Sequence, residues 1–365
     1  MKRLSLILVL TLCVSLLAGC AGTPVVYQTN CTCPVEAHTP AETVAPVVEE
    51  TAAVEAPAVE GALKTGLYIS AGIGESKNAT AEENGEGKYD VTMVAVLVDD
   101  EGIIRDCVID GIAASVKFDD KGAITSDLAA APQTKNELGE AYGMVAWGGA
   151  IAEWDAQAAA LASYAVGKTV EELKNGAIDE SGKAPAGSDL ASSATIYLGG
   201  YVAAIEKAVA NAQHLGAQAG DVLKLASVNG IDSSASAGEK DGNAQLDATV
   251  TALTMKDGVI TSCAIDAVQA KVGFDVTGTI TSDLTAPVQT KNELGEGYGM
   301  VAWGGAIAEW DAQAASFASY VTGKTAAEVT GIAVDESTHP TDADLASSVT
   351  IAIGGFQALI AKAAQ

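Results

Sequence analysis

Residues Gln133–Ala159 read QTKNELGEAYGMVAWGGAIAEWDAQAA, and Gln289–Ala315 repeat them with one difference, Gly297 in place of Ala141. The two copies are offset by 156 residues, and self-similarity at a fixed spacing indicates an internal duplication. The chain is therefore predicted to contain two copies of one folding unit.

The duplicated stretch carries the signals of a helix. Thr134 and Glu137 have the spacing of a capping box, in which each side chain accepts a hydrogen bond from the backbone amide of the other residue. Apolar residues then recur at alternating steps of three and four, and this period predicts one long amphipathic helix in each repeat, packed on the core. The predicted stripes are Met144, Trp147, Ile151, Trp154, Ala158, Leu161 and Ala165, and Met300, Trp303, Ile307, Trp310, Ala314, Phe317 and Val321.

The residues on either side of this helix indicate the fold class. Apolar, β-branched runs separated by glycine-containing turns precede it, and they predict an antiparallel β-meander. A second capping box in each copy predicts a shorter helix behind it. Because strands come first and helices follow, we predict an α+β fold with one sheet and one core in each repeat. The repeats are assigned to residues 64–212 and 221–365. The predicted strands are 91–98, 103–118, 248–255, 259–268 and 271–274. The second capping boxes are 169–172 and 325–328.

The charge of the chain narrows the classes of partner. Asp and Glu number 47 against 20 Lys and Arg, which gives a formal net charge of −27. Nucleic acid binding needs Lys and Arg to replace the counterions of the phosphates, so no nucleic acid partner is predicted. The same charge disfavours direct docking on an anionic lipid surface.

The first twenty residues are typical of an export signal. Lys2 and Arg3 precede an uncharged, mostly apolar run that is too short to span a bilayer comfortably. The run ends in Leu17-Ala18-Gly19-Cys20, which resembles the bacterial lipobox. That resemblance implies that Cys20 carries acyl chains such as palmitate and becomes the mature N-terminus, which would anchor the protein to a membrane. The alternative is an ordinary secretory signal with a chance cysteine.

Residues 21–63 are predicted to form a disordered tether. Five prolines lie among Glu, Ala, Thr and Val without helical or strand periodicity, and such a segment cannot bury enough apolar surface to fold. As a coil it would span about 35–40 Å on average. Within it, Cys31 and Cys33 lack further ligands at metal-binding spacing, and exposed thiols or an intermolecular disulfide are the alternatives. No metal site is predicted, and Cys107 and Cys263 are interpreted as buried, small apolar residues.

A short motif ends each repeat. Asp189-Leu190-Ala191-Ser192-Ser193-Ala194-Thr195 returns as Asp344-Leu345-Ala346-Ser347-Ser348-Val349-Thr350. One interpretation is that these residues are only a helix entry with cap residues. The other is that the two threonines are sites of attachment, because the motif recurs at the end of both repeats of an exported chain.

The motif resembles the acceptor sequence of covalently flavinylated proteins, in which a flavin transferase splits FAD and joins FMN to a threonine hydroxyl through a phosphoester. The whole chain apart from the tether is similar to bacterial FMN-binding lipoproteins with two such domains, related to the flavin subunits of the sodium-pumping quinone reductase and the Rnf complex. The resemblance implies two covalent FMN groups on Thr195 and Thr350. It implies supporting roles for Asp189, Asp344, Ser192, Ser193, Ser347 and Ser348, although many members have Gly at the second serine and Ala where Val349 stands. A phosphoester on the threonine would then lie in the first turn of the following helix, where free backbone amides favour a phosphate.

The function that the resemblance implies is electron carriage outside the cytoplasm. A membrane quinol-linked reductase would donate electrons to the flavins, and extracellular acceptors such as ferric species would take them, so the protein would be a carrier rather than a stand-alone enzyme. No catalytic residues are predicted. The alternative from a different class is a non-redox surface lipoprotein that binds a small ligand or acts as a scaffold.

Flavin contacts are expected near the start of the long helix, where free backbone amides favour anions. The alternative is that these residues only complete the helix cap. Trp147 and Trp154 could stack on an isoalloxazine ring, but their place in the apolar stripe favours core packing. The candidate contact residues are Lys135, Asn136, Tyr142, Lys291, Asn292 and Tyr298.

Overall fold

The computed structural model describes residues 61–365. The export signal, Cys20, Cys31, Cys33 and all of the predicted tether up to residue 60 lie outside the described residues. Within them, the fold is α+β, as predicted, with two separate three-stranded antiparallel sheets of strand order β1-β2-β3 and β4-β5-β6. The strands are β1 (Lys64–Gly72), β2 (Gly85–Val98), β3 (Ile104–Phe118), β4 (Val222–Gly230), β5 (Gly242–Lys256) and β6 (Val259–Phe274).

Each sheet contains one long hairpin. The β2–β3 pair runs from Gly85 opposite Phe118 to Val98 opposite Ile104, with a bulge beside Leu97. The runs 103–112 and 113–118, predicted as successive segments, form the single strand β3, and β6 likewise merges two predicted runs. β1 and β4 were not predicted, and each pairs antiparallel with the central strand of its sheet.

The two sheets pack face to face and share a core. One continuous cluster of buried side chains includes Val91 and Met93 from β2 together with Val250 from β5. The rings of Phe118 and Phe274 stack in parallel with their centroids 3.9 Å apart. This shared core was not anticipated by the prediction of one core for each repeat, and it means that the two repeats stabilise each other through apolar burial.

The helices cover the outer face of each sheet. In the first repeat, Val94, Val96 and Cys107 point away from the shared core and pack against the helices. The described chain therefore has four layers, helices, sheet, sheet and helices. The helices are α1 (Lys135–Leu138), α2 (Met144–Gly148), α3 (Trp154–Ala165), α4 (Val170–Ala177), α5 (Gly199–Ala210), α6 (Lys291–Leu294), α7 (Met300–Gly304), α8 (Trp310–Val321), α9 (Ala326–Thr330), α10 (Ala343–Ala346) and α11 (Gly354–Ala363). In the described part of the chain, no helix is long and apolar enough to cross a membrane.

The prediction of one long amphipathic helix is wrong. The stretch after Thr134 is divided into α1, a 3₁₀ turn, α2 and α3. The breaks lie at Gly139, Gly143 and Gly149, whose φ angles of 48°, 82° and 63° are positive and interrupt the helix. Only the part of the stripe in α3 is buried, whereas Trp147 and Ile151 face solvent. The predicted capping boxes at Thr134, Thr169, Thr290 and Thr325 are all present.

Residues 61–63, assigned above to the tether, are ordered against the segment that joins the repeats. The Leu63 amide donates to the Ala217 carbonyl over 2.9 Å, and Leu63 is buried in the shared core. The joining segment is therefore part of the folded unit, and the first strand begins directly after this contact.

Candidate functional site

The motif at the end of the first repeat is a tight loop with alternating burial. Leu190 and Ala194 are buried among the helices, whereas Asp189, Ser192 and Thr195 are exposed. A 3₁₀ turn over Leu190–Ser192 produces this alternation. The two apolar residues therefore anchor the loop and leave the threonine facing solvent.

Thr195 is held by a buried glutamine. The Oε1 atom of Gln157, on α3, accepts hydrogen bonds from the Thr195 amide at 2.8 Å, the Ile196 amide at 3.2 Å and the Thr195 hydroxyl at 3.3 Å. Its Nε2 atom donates to the Ala152 carbonyl at 2.8 Å, and the residue is 0% exposed. All the polar atoms of Gln157 are therefore paired, and they fix the backbone on both sides of the threonine.

Thr350 has the same arrangement. Gln313 Oε1 accepts from the Thr350 amide at 2.8 Å, the Ile351 amide at 3.2 Å and the Thr350 hydroxyl at 3.2 Å. Val349, which departs from the flavinylation motif, is buried in the second helical cluster like Ala194 in the first. The β-branched residue therefore fills core space and leaves the geometry of the threonine unchanged.

The two glutamines were not predicted from the sequence. Their positions in the sequence nevertheless indicate burial, because Gln157 and Gln313 follow Trp154 and Trp310 by one helical turn and so lie on the apolar face of the helix. A polar residue at such a position needs a buried partner.

The structure corrects the expected environment of the threonine. Thr195 precedes α5 by four residues and does not lie in its first turn. The amides of Leu198 and Gly199, at the start of α5, already donate to the Gly182 carbonyl. Ser192 Oγ donates to the Asp189 carbonyl at 2.6 Å, and Ser347 Oγ donates likewise to Asp344 at 2.7 Å. These serines therefore stabilise the turn itself.

The predicted contact residues lie near the start of α1 and α6. Asn136 is bound to β3, since its Nδ2 atom donates to the Ile109 carbonyl at 3.0 Å and its amide donates to Asp110. Asn292 binds Ile265 in the same way. Within residues 61–365, none of the six candidate side chains hydrogen bonds to Thr195 or Thr350.

Lys135 is a buried cation beside aromatic rings. Its Nζ atom lies 3.2 Å from Asp90 and 5.0 Å from the centre of the Trp154 ring. Burial alone lowers the pKa of Lys135, but Asp90 and the nearby tyrosines outweigh it and the net shift is upward. Lys135 therefore remains charged, and Lys291 lies over Tyr298 and Trp310 in the second repeat at 4.8 and 4.7 Å.

Asp110 and Asp266 are buried carboxylates beneath these helix starts. Asp266 Oδ1 accepts from the amides of Ala267 at 2.7 Å and Asn292 at 3.1 Å. Burial raises the pKa of Asp266 to about 6, against the opposing hydrogen bonds from Thr290 and these amides. Burial also raises the pKa of Asp110.

We expect this pair to make the unfolding free energy fall as the pH rises from about 4 to about 6. The folded pKa of Asp266 lies above the ordinary value of 3.8, so the folded state binds more protons across this window and is favoured at its acidic end. Asp266→Asn keeps the Oδ1 acceptor, and it should reduce this fall in the unfolding free energy by on the order of 1–2 kcal/mol. Urea unfolding at a series of pH values measures this, and an unchanged slope in the variant would contradict the assignment.

An exposed apolar loop lies on the other side of each glutamine. Trp147 is 91% exposed, and its neighbours Val145 and Ile151 are also exposed. Trp303 in the second repeat is 91% exposed as well, with Val301 and Ile307 beside it. The expectation that these tryptophans pack in the core is wrong for Trp147 and Trp303, although Trp154 and Trp310 are buried.

A cavity of about 880 Å³ lies between the repeats, on one side of the shared core. Its lining includes Tyr68, Asn211, Asp266, Glu293 and Asp311, and no Lys or Arg is among the described residues that line it. The cavity is therefore suited to a cationic or neutral molecule rather than to an anion.

Two further observations limit the chemistry of the described residues. Cys107 and Cys263 are buried free thiols, as predicted, and burial raises the pKa of each well above its ordinary value, so neither is a reactive thiolate. Residues 61–365 contain no group of three or more His, Cys, Asp or Glu side chains placed to hold a metal ion.

Comparison with known proteins adds no identification, because no family model, curated protein or solved structure matches this chain.

Proposed function

We propose that this protein is a membrane-anchored extracytoplasmic electron carrier with two FMN groups attached through phosphoesters to Thr195 and Thr350. The observation that carries the proposal is that each repeat exposes one threonine of the same motif and fixes its backbone to one buried glutamine. A pair of equivalent, rigidly presented hydroxyls supports a role in attachment.

The geometry of the threonine is compatible with an ester. In forming the ester, the Thr195 oxygen would bond to the FMN phosphorus of FAD, the pyrophosphate bond would break, and AMP would leave with the other of the two phosphates as its own, while the hydroxyl proton passes to AMP or to water. The hydroxyl would lose its proton and its 3.3 Å hydrogen bond to Gln157, but the amides of Thr195 and Ile196 would keep theirs. The loop would therefore hold its position after modification.

The negative charge of the chain is a reason for a covalent bond. With a net charge of −27, a free phosphate monoester would be retained poorly, since most of the surface repels it. The candidate contact lysines at the start of α1 and α6, Lys135 and Lys291, are engaged with aromatic rings. A phosphoester removes the need for a cationic phosphate pocket.

The remainder of the proposal concerns partners and location. Bound FMN would supply the redox chemistry, and this chain would supply position. A flavin transferase would load the protein, a quinol-linked reductase would donate electrons and extracellular acceptors would receive them. Cys20 would carry the lipid anchor, residues 21–60 would form a tether, and the two similar repeats would each bear one flavin.

Loading during export tests the proposal. The full chain is expressed with a flavin transferase and an export pathway, and the purified protein is denatured in guanidinium and filtered. We expect flavin absorbance to stay with the polypeptide, with about two flavins per chain because the motif threonine occurs twice. A colourless polypeptide of unmodified mass would refute the proposal.

The inter-repeat cavity favours a second candidate, a lipoprotein that binds a small cationic ligand. Lys362 Nζ pairs with Glu137 and donates to the Ser227 carbonyl, and Glu293, the sequence counterpart of Glu137, lines the cavity without an ion-pair partner among residues 61–365. An alkylammonium could occupy the corresponding position. An increase in melting temperature with 1,4-diaminobutane that is lost in Glu293→Gln would support this function. A melting temperature that does not change with the diamine would exclude a diamine ligand.

A further inference from the structure

The indole rings of Trp147 and Trp303 bury little of their surface in the fold. Trp147 and Trp303 are each 91% exposed, and the valine and isoleucine beside each tryptophan are exposed too. Apolar surface of this kind usually marks a contact with something else. The same patch occurs in both repeats, and each patch accompanies one motif threonine.

The loop is held in one conformation. Glu153 accepts hydrogen bonds from the amides of Met144 at 2.8 Å and Val145 at 3.0 Å, which fixes the start of α2. The Trp147 amide donates to the Gly143 carbonyl at 2.9 Å. A rigid turn therefore carries the exposed indole.

The indole itself is positioned by a glycine. A Cβ atom on Gly143 would lie 2.4 Å from Cδ1 of Trp147, so the ring lies directly over the Gly143 backbone. Gly299 and Trp303 have the same 2.4 Å relation. One part of the indole is packed against backbone, and the rest of its surface is presented to solvent with a fixed orientation.

The loop and the threonine are connected by one side chain. Gln157 binds the Ala152 carbonyl through Nε2 and the Thr195 amide through Oε1, each at 2.8 Å. These two backbone atoms are therefore within about 8 Å of each other. Ile151, at the edge of the patch, directly precedes Ala152, so a ring joined to Thr195 by a phosphate and a five-carbon chain can reach the patch.

We infer that the exposed patch of each repeat, Trp147 with Val145 and Ile151, and Trp303 with Val301 and Ile307, is the binding surface for a planar aromatic ring attached to the threonine of the same repeat. The inference rests on the proposed function and identifies the ring as isoalloxazine. A flat, apolar heterocycle stacks on an exposed indole, and both lose apolar surface to water. The patch thus positions the ring after attachment, whereas attachment itself depends on the threonine and on the loop that Gln157 holds in place.

The test uses protein that carries a single flavin. In full-length Thr350→Ala made with the flavin transferase, only Thr195 is available, and intact mass first establishes that one FMN is bound. Trp147→Ala is then compared with the matched variant Trp303→Ala. We expect the flavin fluorescence per bound flavin to rise several-fold in Trp147→Ala, because a stacked indole quenches flavin emission, and to be unchanged in Trp303→Ala.

A second measurement needs no change at the tryptophan. Hydroxyl-radical footprinting compares the oxidation rate of Trp147 in the Thr350→Ala protein with its rate in Thr195→Ala. Several-fold protection in the first protein is expected. Equal oxidation rates, or equal fluorescence in the two tryptophan variants, would overturn the inference while leaving attachment intact. Absence of bound flavin from the Thr350→Ala parent would instead contradict the proposed function.

Discussion

Replacing Thr195 by alanine should remove one of two covalently bound flavins, and replacing Thr195 and Thr350 together should remove both. The substitution takes away only the hydroxyl and the γ-methyl group from an exposed loop position, so the fold should be retained. Intact-mass spectra of protein loaded by the transferase measure the number of bound flavins. We expect two bound flavins in the parent protein, one in each single variant and none in the double variant.

The controls for this series lie within the same motif. Ser192→Ala removes a neighbouring hydroxyl that donates to the Asp189 carbonyl, and it should keep both flavins. If the double variant still carries flavin after denaturation, the attachment sites are elsewhere. If Ser192→Ala behaves like Thr195→Ala, the loop conformation rather than the threonine hydroxyl determines loading.

Gln157→Leu should destabilise the protein by about 2–4 kcal/mol and strongly reduce flavin attachment at Thr195. The substitution leaves the amides of Thr195 and Ile196 and the carbonyl of Ala152 without their partner, and an unsatisfied buried group costs about 1–3 kcal/mol. Water can reach part of this exposed loop, which lowers the sum.

The measurements for Gln157→Leu are urea unfolding and the flavin occupancy of tryptic peptides. Occupancy at Thr350 should stay at the parental level, because Gln313 still holds that loop. Gln133→Leu, an exposed glutamine before α1, is the matched control and should change neither quantity. Parental stability together with parental occupancy at Thr195 would show that the glutamine does not position the threonine.

The secondary structure that follows from local patterns could be predicted. The hairpins were evident from β-branched runs interrupted by glycine-containing turns, and the helix starts from their capping boxes. The prediction of one long helix failed because the period of the apolar residues describes the side chains and not the backbone conformation. Gly149 adopts positive φ within the stripe, so an unbroken three-and-four spacing crosses from the end of α2 to the start of α3, and Trp147 falls outside the core.

The shared core depended on tertiary information. The run Met93-Val94-Ala95-Val96-Leu97-Val98 is apolar at every position, which is typical of a strand buried on both faces. The predicted helices would cover one face of this strand. The run itself does not indicate that the other face packs against the equivalent sheet of the second repeat. The stacking of Phe118 on Phe274 is likewise visible only after the two sheets are placed together.

The site was predicted only in part, again because some of its contacts depend on tertiary structure. The motif threonines were found because the segment recurs, whereas Gln157 and Gln313 lie 38 and 37 residues away from them in the chain. Their contact arises from the packing of α3 and α8 against the motif loops. A buried polar residue can be recognised from its place in an apolar stripe, but its partner cannot.

Covalent attachment of FMN is tested most directly by peptide mass spectrometry of the protein purified from the cells that make it. We expect the peptides containing Thr195 and Thr350 each to carry the mass of FMN less one water, with fragmentation placing the adduct on the threonine. Recovery of both peptides without any adduct would contradict attachment at these threonines.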